Sequence, residues 1–203
     1  MTFKIVSVNS LIIYFEQEIS EATLDKVQKS YLALKELKGI IDLTPSYCSI
    51  LVHFDILKHS HESIEKEIKA YLNKKAILPQ NTKAKLITIP TDYEKNLDLK
   101  RVAEHNKLTI DEVINLHTEN TYRVYAIGFM LGFAYLGTVH EKINTPRLAT
   151  PRKKIPKGSV ALADNQTAIY PQNSAGGWNI IGHTEFTDFH TLSIGDKVQF
   201  ERI

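Results

Sequence analysis

The residues best suited to chemistry cluster between positions 117 and 182 of a 203-residue chain. His117 opens the set. Tyr122-Arg123-Val124 follows, then Gly128-Phe129-Met130-Leu131-Gly132-Phe133-Ala134-Tyr135-Leu136-Gly137. Next come Thr150-Pro151-Arg152, Ile155-Pro156-Lys157-Gly158-Ser159-Val160 and Gln166-Thr167-Ala168-Ile169-Tyr170-Pro171. Ser174-Ala175-Gly176-Gly177-Trp178 and Ile181-Gly182 close it. Glycines interleaved with Phe129, Phe133 and Tyr135 let the backbone approach a neighbour closely, or take φ values that other residues avoid. Pro151 and Pro156 stiffen the loop that carries Arg152. Its guanidinium suits paired contact with a carboxylate or phosphate. Gln166 offers an amide that both donates and accepts. Gly176-Gly177 leaves backbone N–H groups open, as an anion nest does. The same residue types also describe a barrel whose turns need glycine and whose core needs aromatics. Residue types alone leave both readings open.

Several other chemistries find no support. No G-x-S-x-G elbow surrounds Ser159 or Ser174, and no H-E-x-x-H helix is present. The run from Gly177 to Thr184 spells G-x-x-x-x-G-H-T, close to a phosphate loop. It lacks the lysine, and its middle, Trp178-Asn179-Ile180-Ile181, reads as strand rather than as a loop opening a helix. His59 and His61 form an H-x-H pair without a third ligand, so they read as solvated loop residues and no metal is expected. The single cysteine, Cys48, excludes a disulfide within the chain and a Cys-rich zinc site. It lies in an apolar run and reads as a small buried hydrophobe.

Bulk charge points the same way. With 25 basic and 23 acidic residues the net charge is +2, which gives no polyanion-binding surface and no expectation of nucleic acid. No apolar run reaches membrane-spanning length, and the N-terminus does not read as a signal peptide. A reducing, cytoplasmic setting is the expectation.

The elements that must position these residues fall into two halves. Only Gly39 precedes Gly128, and four of the seven prolines lie between Pro146 and Pro171. The C-terminal half should therefore have many short strands and shaped loops. In the first half, residues 3–8 and 11–15 read as strands. Ser20 caps a helix to about residue 38, with Leu24, Val27, Tyr31, Leu34 and Leu37 on one face. Residues 40–43 and 49–54 form a second strand pair, residues 61–74 a second helix, and residues 85–89 a further strand. This is an α+β sandwich of the split β-α-β kind. Residues 97–117 read as two short helices, with Thr109 and Glu112 forming a capping box. Strands follow at 121–127, 159–163, 167–170, 178–181 and 197–201, which argues for a barrel or sandwich. The domain boundary is expected near residue 90, giving 1–90 and 91–203.

The order and spacing of the pieces from His117 to Gly182 closely resemble the KipI/PxpB family. Its members are also called 5-oxoprolinase B subunits or allophanate hydrolase subunit 1, of the carboxyltransferase subdomain C/D type. The motif match covers about half the chain; the N-terminal half agrees in layout and length. Leu131 stands where the family has Pro, Thr138 replaces a Gly, Ala175 replaces a Pro, and His183 stands where Arg is common.

The resemblance implies an N-terminal α+β sandwich domain followed by a cyclophilin-like β-barrel. It implies a B subunit that works with A and C subunits to open the lactam of 5-oxoproline to L-glutamate using ATP, and is inactive alone. A homo-oligomer stays open. It also brings two alternatives: an inhibitor of a sensor histidine kinase, and a component of a urea carboxylase or allophanate hydrolase system. On the first reading Arg152 is the candidate substrate anchor, His117 the candidate acid/base, and Gln166 with Gly176 and Gly177 the candidate orienting groups. The expected substrate- or partner-facing set adds Tyr122, Arg123, Gly128, Phe129, Gly132, Phe133, Tyr135, Ser174 and Trp178.

Overall fold

A computed structural model of the chain describes residues 1–75 and 84–203. The chain forms two compact units, Met1–Lys83 and Ala84–Ile203. The division thus falls before the strand at 86–91 rather than near residue 90. That strand carries Ile89, fully buried in the core of the second unit, so it cannot belong to the first.

The first unit contains β1 (Thr2–Ser7), β2 (Ser10–Tyr14), α1 (Glu21–Leu34), β3 (Ile40–Ser46), β4 (Ser49–Phe54) and α2 (His61–Lys75). Its sheet has the order β1-β2-β4-β3 with every neighbour antiparallel. Strands β2 and β3 flank β4 and so run the same way, which is the split β-α-β layout. Alternation decides the buried face. Leu11 and Ile13 of β2 are buried, as are Ile50, Val52 and Phe54 of β4. The helices supply Leu24, Val27, Leu34, Ile64 and Ile68. Ser20 caps α1 by accepting from the Thr23 N–H at 3.2 Å. Cys48 is half-buried rather than buried, and its thiol donates to the Glu18 carbonyl at 3.3 Å. The two histidines at the start of α2 are not solvated loop residues. His61 Nε2 lies 2.9 Å from the Ser7 carbonyl and His59 Nδ1 lies 3.5 Å from Glu67.

The second unit contains β5 (Leu86–Thr91), α3 (Leu99–Asn106), α4 (Ile110–Thr118), β6 (Thr121–Ile127), β7 (Ala134–Gly137), β8 (Arg152–Ile155), β9 (Ser159–Ala163), β10 (Gln166–Ile169), β11 (Ser174–Gly176), β12 (Asn179–His183) and β13 (Lys197–Arg202). Seven strands make one sheet in the order β12-β9-β10-β7-β6-β13-β5. Its edges meet where Asp92, just past β5, exchanges both backbone bonds with His183 at the end of β12, at 2.8 and 2.9 Å. The sheet thereby curls into a nearly closed barrel. Strands β8 and β11 form a separate pair. The capping box is present: Thr109 accepts from the Glu112 N–H, and Glu112 accepts from the Thr109 N–H.

Strands β9 and β10 are largely buried on both faces, and Val160 to Ala163 of β9 accordingly reads as a continuous apolar run. One face carries Val160, Leu162 and Ile169 and packs with Leu99, Val102, Val113 and Ile114 from the helices. The other carries Ala161, Ala163 and Ala168. Small side chains there leave room for the large rings of Phe133, Tyr170 and Trp178.

Candidate functional site

Phe133 is the hub of an aromatic cluster. Its ring lies 5.4 Å from Phe129, 4.9 Å from Tyr135, 5.3 Å from Tyr170 and 5.8 Å from Trp178, each edge to face. This is the arrangement ring quadrupoles favour. Two backbone bonds, Gly128 N–H to Phe133 and Phe133 N–H to Met130, close the preceding loop. Within it Phe129 takes a left-handed φ of 71° and is 65% exposed. Gly132 is needed where it stands, because its φ is +82° and an added Cβ would meet Phe189 Cβ at 2.8 Å.

Above this cluster lies a cleft of about 280 Å³, lined by Phe129, Phe133, Tyr135, Arg147, Pro151, Tyr170, Ala175, Gly176, Gly177 and Trp178. Gly176 makes the space: a Cβ there would come within 2.3 Å of the Tyr170 hydroxyl and 2.9 Å of Ile155 Cδ1. Burial pushes the Tyr170 phenol up to about 12, opposed by nearby Arg147 and by the Trp178 backbone N–H. It stays protonated at neutral pH and can donate. Arg147 is the one charged lining residue. Its guanidinium carbon lies 5.6 Å from the Trp178 ring centre, a cation–π contact.

The structure relocates three residues that the sequence made chemical. His117 is fully buried. Tyr93 O–H donates to its Nδ1 at 2.6 Å, its Nε2–H faces Thr167 Oγ1 at 2.9 Å, and Thr167 O–H donates to the Ala161 carbonyl at 3.0 Å. Burial pushes the imidazole down to about 3 and raises the Tyr93 phenol far above its usual value. His117 is thus a neutral, fully partnered core group, not an acid/base facing a substrate. Tyr122 is also core; its hydroxyl donates to the His117 carbonyl at 2.8 Å. Arg152 is not a free anchor. Its two terminal nitrogens bind Asp98 at 2.8 and 2.7 Å.

The remaining expected residues divide. Phe129, Phe133, Tyr135, Gly176, Gly177 and Trp178 come together in the cleft. Gly128 sits at the loop base with open space around its α-carbon. Gln166 is half-buried at the start of β10, paired with Gly137 and Ala163. Arg123 is nearly buried on β6, and Ser174 donates to the Ala175 carbonyl at 2.9 Å. None of these four lines the cleft. Sequence reasoning misses Arg147, which lies between the pieces singled out there, after Gly137 and before Thr150. Tyr170, Pro151 and Ala175 lie within motifs of the sequence, but nothing local marks them as lining residues.

Most of the near phosphate loop from Gly177 to Thr184 is strand β12 (Asn179–His183), not a loop opening a helix. Among the described residues no group of three or more His, Cys, Asp or Glu is placed to hold a metal, and no helix is long and apolar enough to cross a membrane.

A curled seven-stranded sheet with helices on one face and an aromatic cleft on the other is the frame of a carboxyltransferase-type domain. Residues 1–194 match the family described as carboxyltransferase domain, subdomain C and D. The chain belongs to this family, within its KipI/PxpB group. It is 33% identical over 216 residues to the 5-oxoprolinase B subunit of Bacillus subtilis (strain 168), covering 96% of this chain and 90% of that one. The crystal structure of TTHA0988 superposes with a TM-score of 0.84 at 31% identity; the match covers 96% of this chain but 40% of that one. This chain therefore spans well under half of that protein. The urea amidolyase of K. lactis shares the fold at a TM-score of 0.77 and 17% identity, over 99% of this chain and 15% of that one.

Proposed function

We propose that this chain is the B subunit of a 5-oxoprolinase, acting with A and C subunits to open the lactam of 5-oxoproline to L-glutamate using ATP. The observation that carries this reading is what the cleft holds and what it lacks. It offers aromatic walls, one cation and one protonated phenol, and its lining includes no Ser, Thr, Cys, His, Asp, Glu or Lys. Such a cleft binds and desolvates a small ring but generates no nucleophile. A five-membered lactam is an unstrained amide. Water attacks its carbon readily only after the lactam oxygen has been phosphorylated, which makes that carbon electrophilic enough for water to add and the C–N bond to break; ATP supplies that phosphoryl group.

The aromatic cleft does not fit ATP. The one glycine pattern that resembles a phosphate loop is mostly strand, and a single cleft cation does not match a triphosphate. Phosphoryl transfer and water activation are therefore assigned to the partner subunits. This chain's part is to bind the lactam, exclude water around it and present it.

The test is reconstitution. The purified chain alone should release no glutamate from 5-oxoproline and ATP. A mixture with the A and C subunits should, and leaving this chain out should abolish the release. Turnover by the chain alone, or undiminished turnover without it, would refute the reading.

A further inference from the structure

Arg147 is held from both sides. On one side Asn179 Nδ2 donates to the Pro146 carbonyl at 3.1 Å, and Arg101 donates to the same oxygen at 3.3 Å. On the other, the Leu148 N–H donates to the Gly177 carbonyl at 2.7 Å. One residue further back, Thr145 is fully buried and its carbonyl accepts from the Asp164 N–H at 2.7 Å. The backbone around Arg147 is thus fixed against β12, the Gly177 turn and the loop after β9.

Its guanidinium is positioned but not used. Its carbon lies over the Trp178 ring, 5.6 Å from the centre. The ion pair with Asp164 is long, 3.8 Å, and both side chains keep about 60% of their surface: 59% and 61%. Among the described residues Arg147 donates no hydrogen bond. Contrast Arg152, whose fork is filled by Asp98. A guanidinium carried on a pinned backbone, with open donors at the edge of an aromatic cleft, is a site for an oxyanion.

The cleft also limits what that anion is. It supplies one cation, itself loosely paired with Asp164, which suits at most a monoanion. A phosphate ester carries about −1.5 to −2 at neutral pH and calls for more. At about 280 Å³ the cleft lies at the small end of ligand pockets, and its walls are aromatic rings. These features fit a compact ring bearing one carboxylate.

We propose that Arg147, over the Trp178 ring, anchors the carboxylate of a small cyclic monoacid whose ring fills the aromatic cleft. Naming that acid 5-oxoproline rests on the function proposed above; the anchor does not.

Trp178 is the chain's sole tryptophan, so its fluorescence reports on this cleft alone. The experiment titrates the full chain, by calorimetry and by Trp178 emission, with 5-oxoproline, cyclopentanecarboxylate, 2-pyrrolidinone and inorganic phosphate. Saturable binding of a ring carboxylate is expected. 2-Pyrrolidinone, which has the lactam but no carboxylate, should bind at least tenfold more weakly, and phosphate weakly or not at all. Arg147→Met should weaken carboxylate binding at least tenfold while melting like the parent, since the side chain is exposed. Arg147→Lys should restore part of it. Equal binding by Arg147→Met, phosphate binding as tightly as carboxylate, or no saturable carboxylate binding with or without the A and C subunits would each overturn the anchor. Arg147-dependent binding of cyclopentanecarboxylate without any of 5-oxoproline would uphold the anchor and count against the 5-oxoprolinase role.

Discussion

Arg152 and Asp98 are joined by two parallel hydrogen bonds of 2.8 and 2.7 Å, and Asp98 also accepts from the Ile180 N–H at 2.7 Å. The carboxylate is 5% exposed and sits just before α3, while its own N–H donates to the Ile180 carbonyl at 2.8 Å. This one side chain ties α3, β8 and β12 together.

Arg152→Ala should therefore destabilise the second unit strongly. Removing one partner of a buried pair typically costs about 3–5 kcal/mol because the other charge is left unpaired. The low end, roughly 3 kcal/mol, is expected here because the Arg152 side chain keeps 29% of its surface. Urea unfolding of Arg152→Ala, of Asp98→Asn and of the double variant measures it. The two single losses should sum to more than the double. Near-parental stability of Arg152→Ala would show that the bridge is not structural.

His117 sets a pH dependence. In the folded chain it refuses a proton down to about pH 3, whereas an unfolded histidine accepts one near its ordinary value of 6.5. Below 6.5 the unfolded state binds the additional proton, so stability is full above that pH and falls as pH drops toward 3. The slope from this group is about 1.4 kcal/mol per pH unit. His117→Gln keeps one donor and one acceptor but does not titrate. Unfolding free energies at pH 7, 6 and 5 should fall less steeply for the variant, by about one proton's worth. Identical slopes would show that His117 titrates normally.

Two glycines of the motif should respond in opposite ways. At Gly128 an added methyl meets nothing within 4 Å, so Gly128→Ala should change stability by no more than about 0.5 kcal/mol. At Gly176 the methyl collides with the buried Tyr170 hydroxyl at 2.3 Å. Gly176→Ala should cost about 1–3 kcal/mol, the usual range for overpacking. It should also displace the Tyr170 ring into the cleft and shift Trp178 emission. Thermal melts and fluorescence of the pair check this.

Local pattern accounts for the parts of the fold that are legible in the sequence. Ser20 and the Thr109/Glu112 box begin helices because capping needs only neighbours within one turn. The expected strands 121–127 and 159–163 coincide with β6 and β9, whose apolar residues run on from Val124 to Ile127 and from Val160 to Ala163. Strand β8 reads instead as a stiffened loop, since Arg152-Lys153-Lys154-Ile155 has no apolar alternation and is a strand only because β11 pairs with it. The site is half legible for the same reason. The aromatics and glycines of the cleft carry a motif. The roles of the two arginines do not: a carboxylate 54 residues away from Arg152 and a ring far along the chain from Arg147 decide which is committed and which is open. Asp98 immediately before α3 is the available signal, and only tertiary contact shows what it holds. His117 reads as acid/base by type; its complete burial is a property of the packed core.

The position of β13 has a consequence for synthesis. In the first unit the strand pairs β1–β2 and β3–β4 are hairpins, each complete a few residues after it begins. In the second, the strand last in sequence lies inside the sheet, between β6 and β5. Among the described residues β5 has no other sheet partner, and its six register pairs all reach across to residues 197–202. As the chain leaves the ribosome, β5 emerges early and must wait for more than a hundred residues, about 5–20 s at usual elongation rates, before β13 can pair with it. During that interval its edge is open to wrong partners. Premature termination before Lys197 would yield a fully formed first unit attached to a barrel that cannot shut.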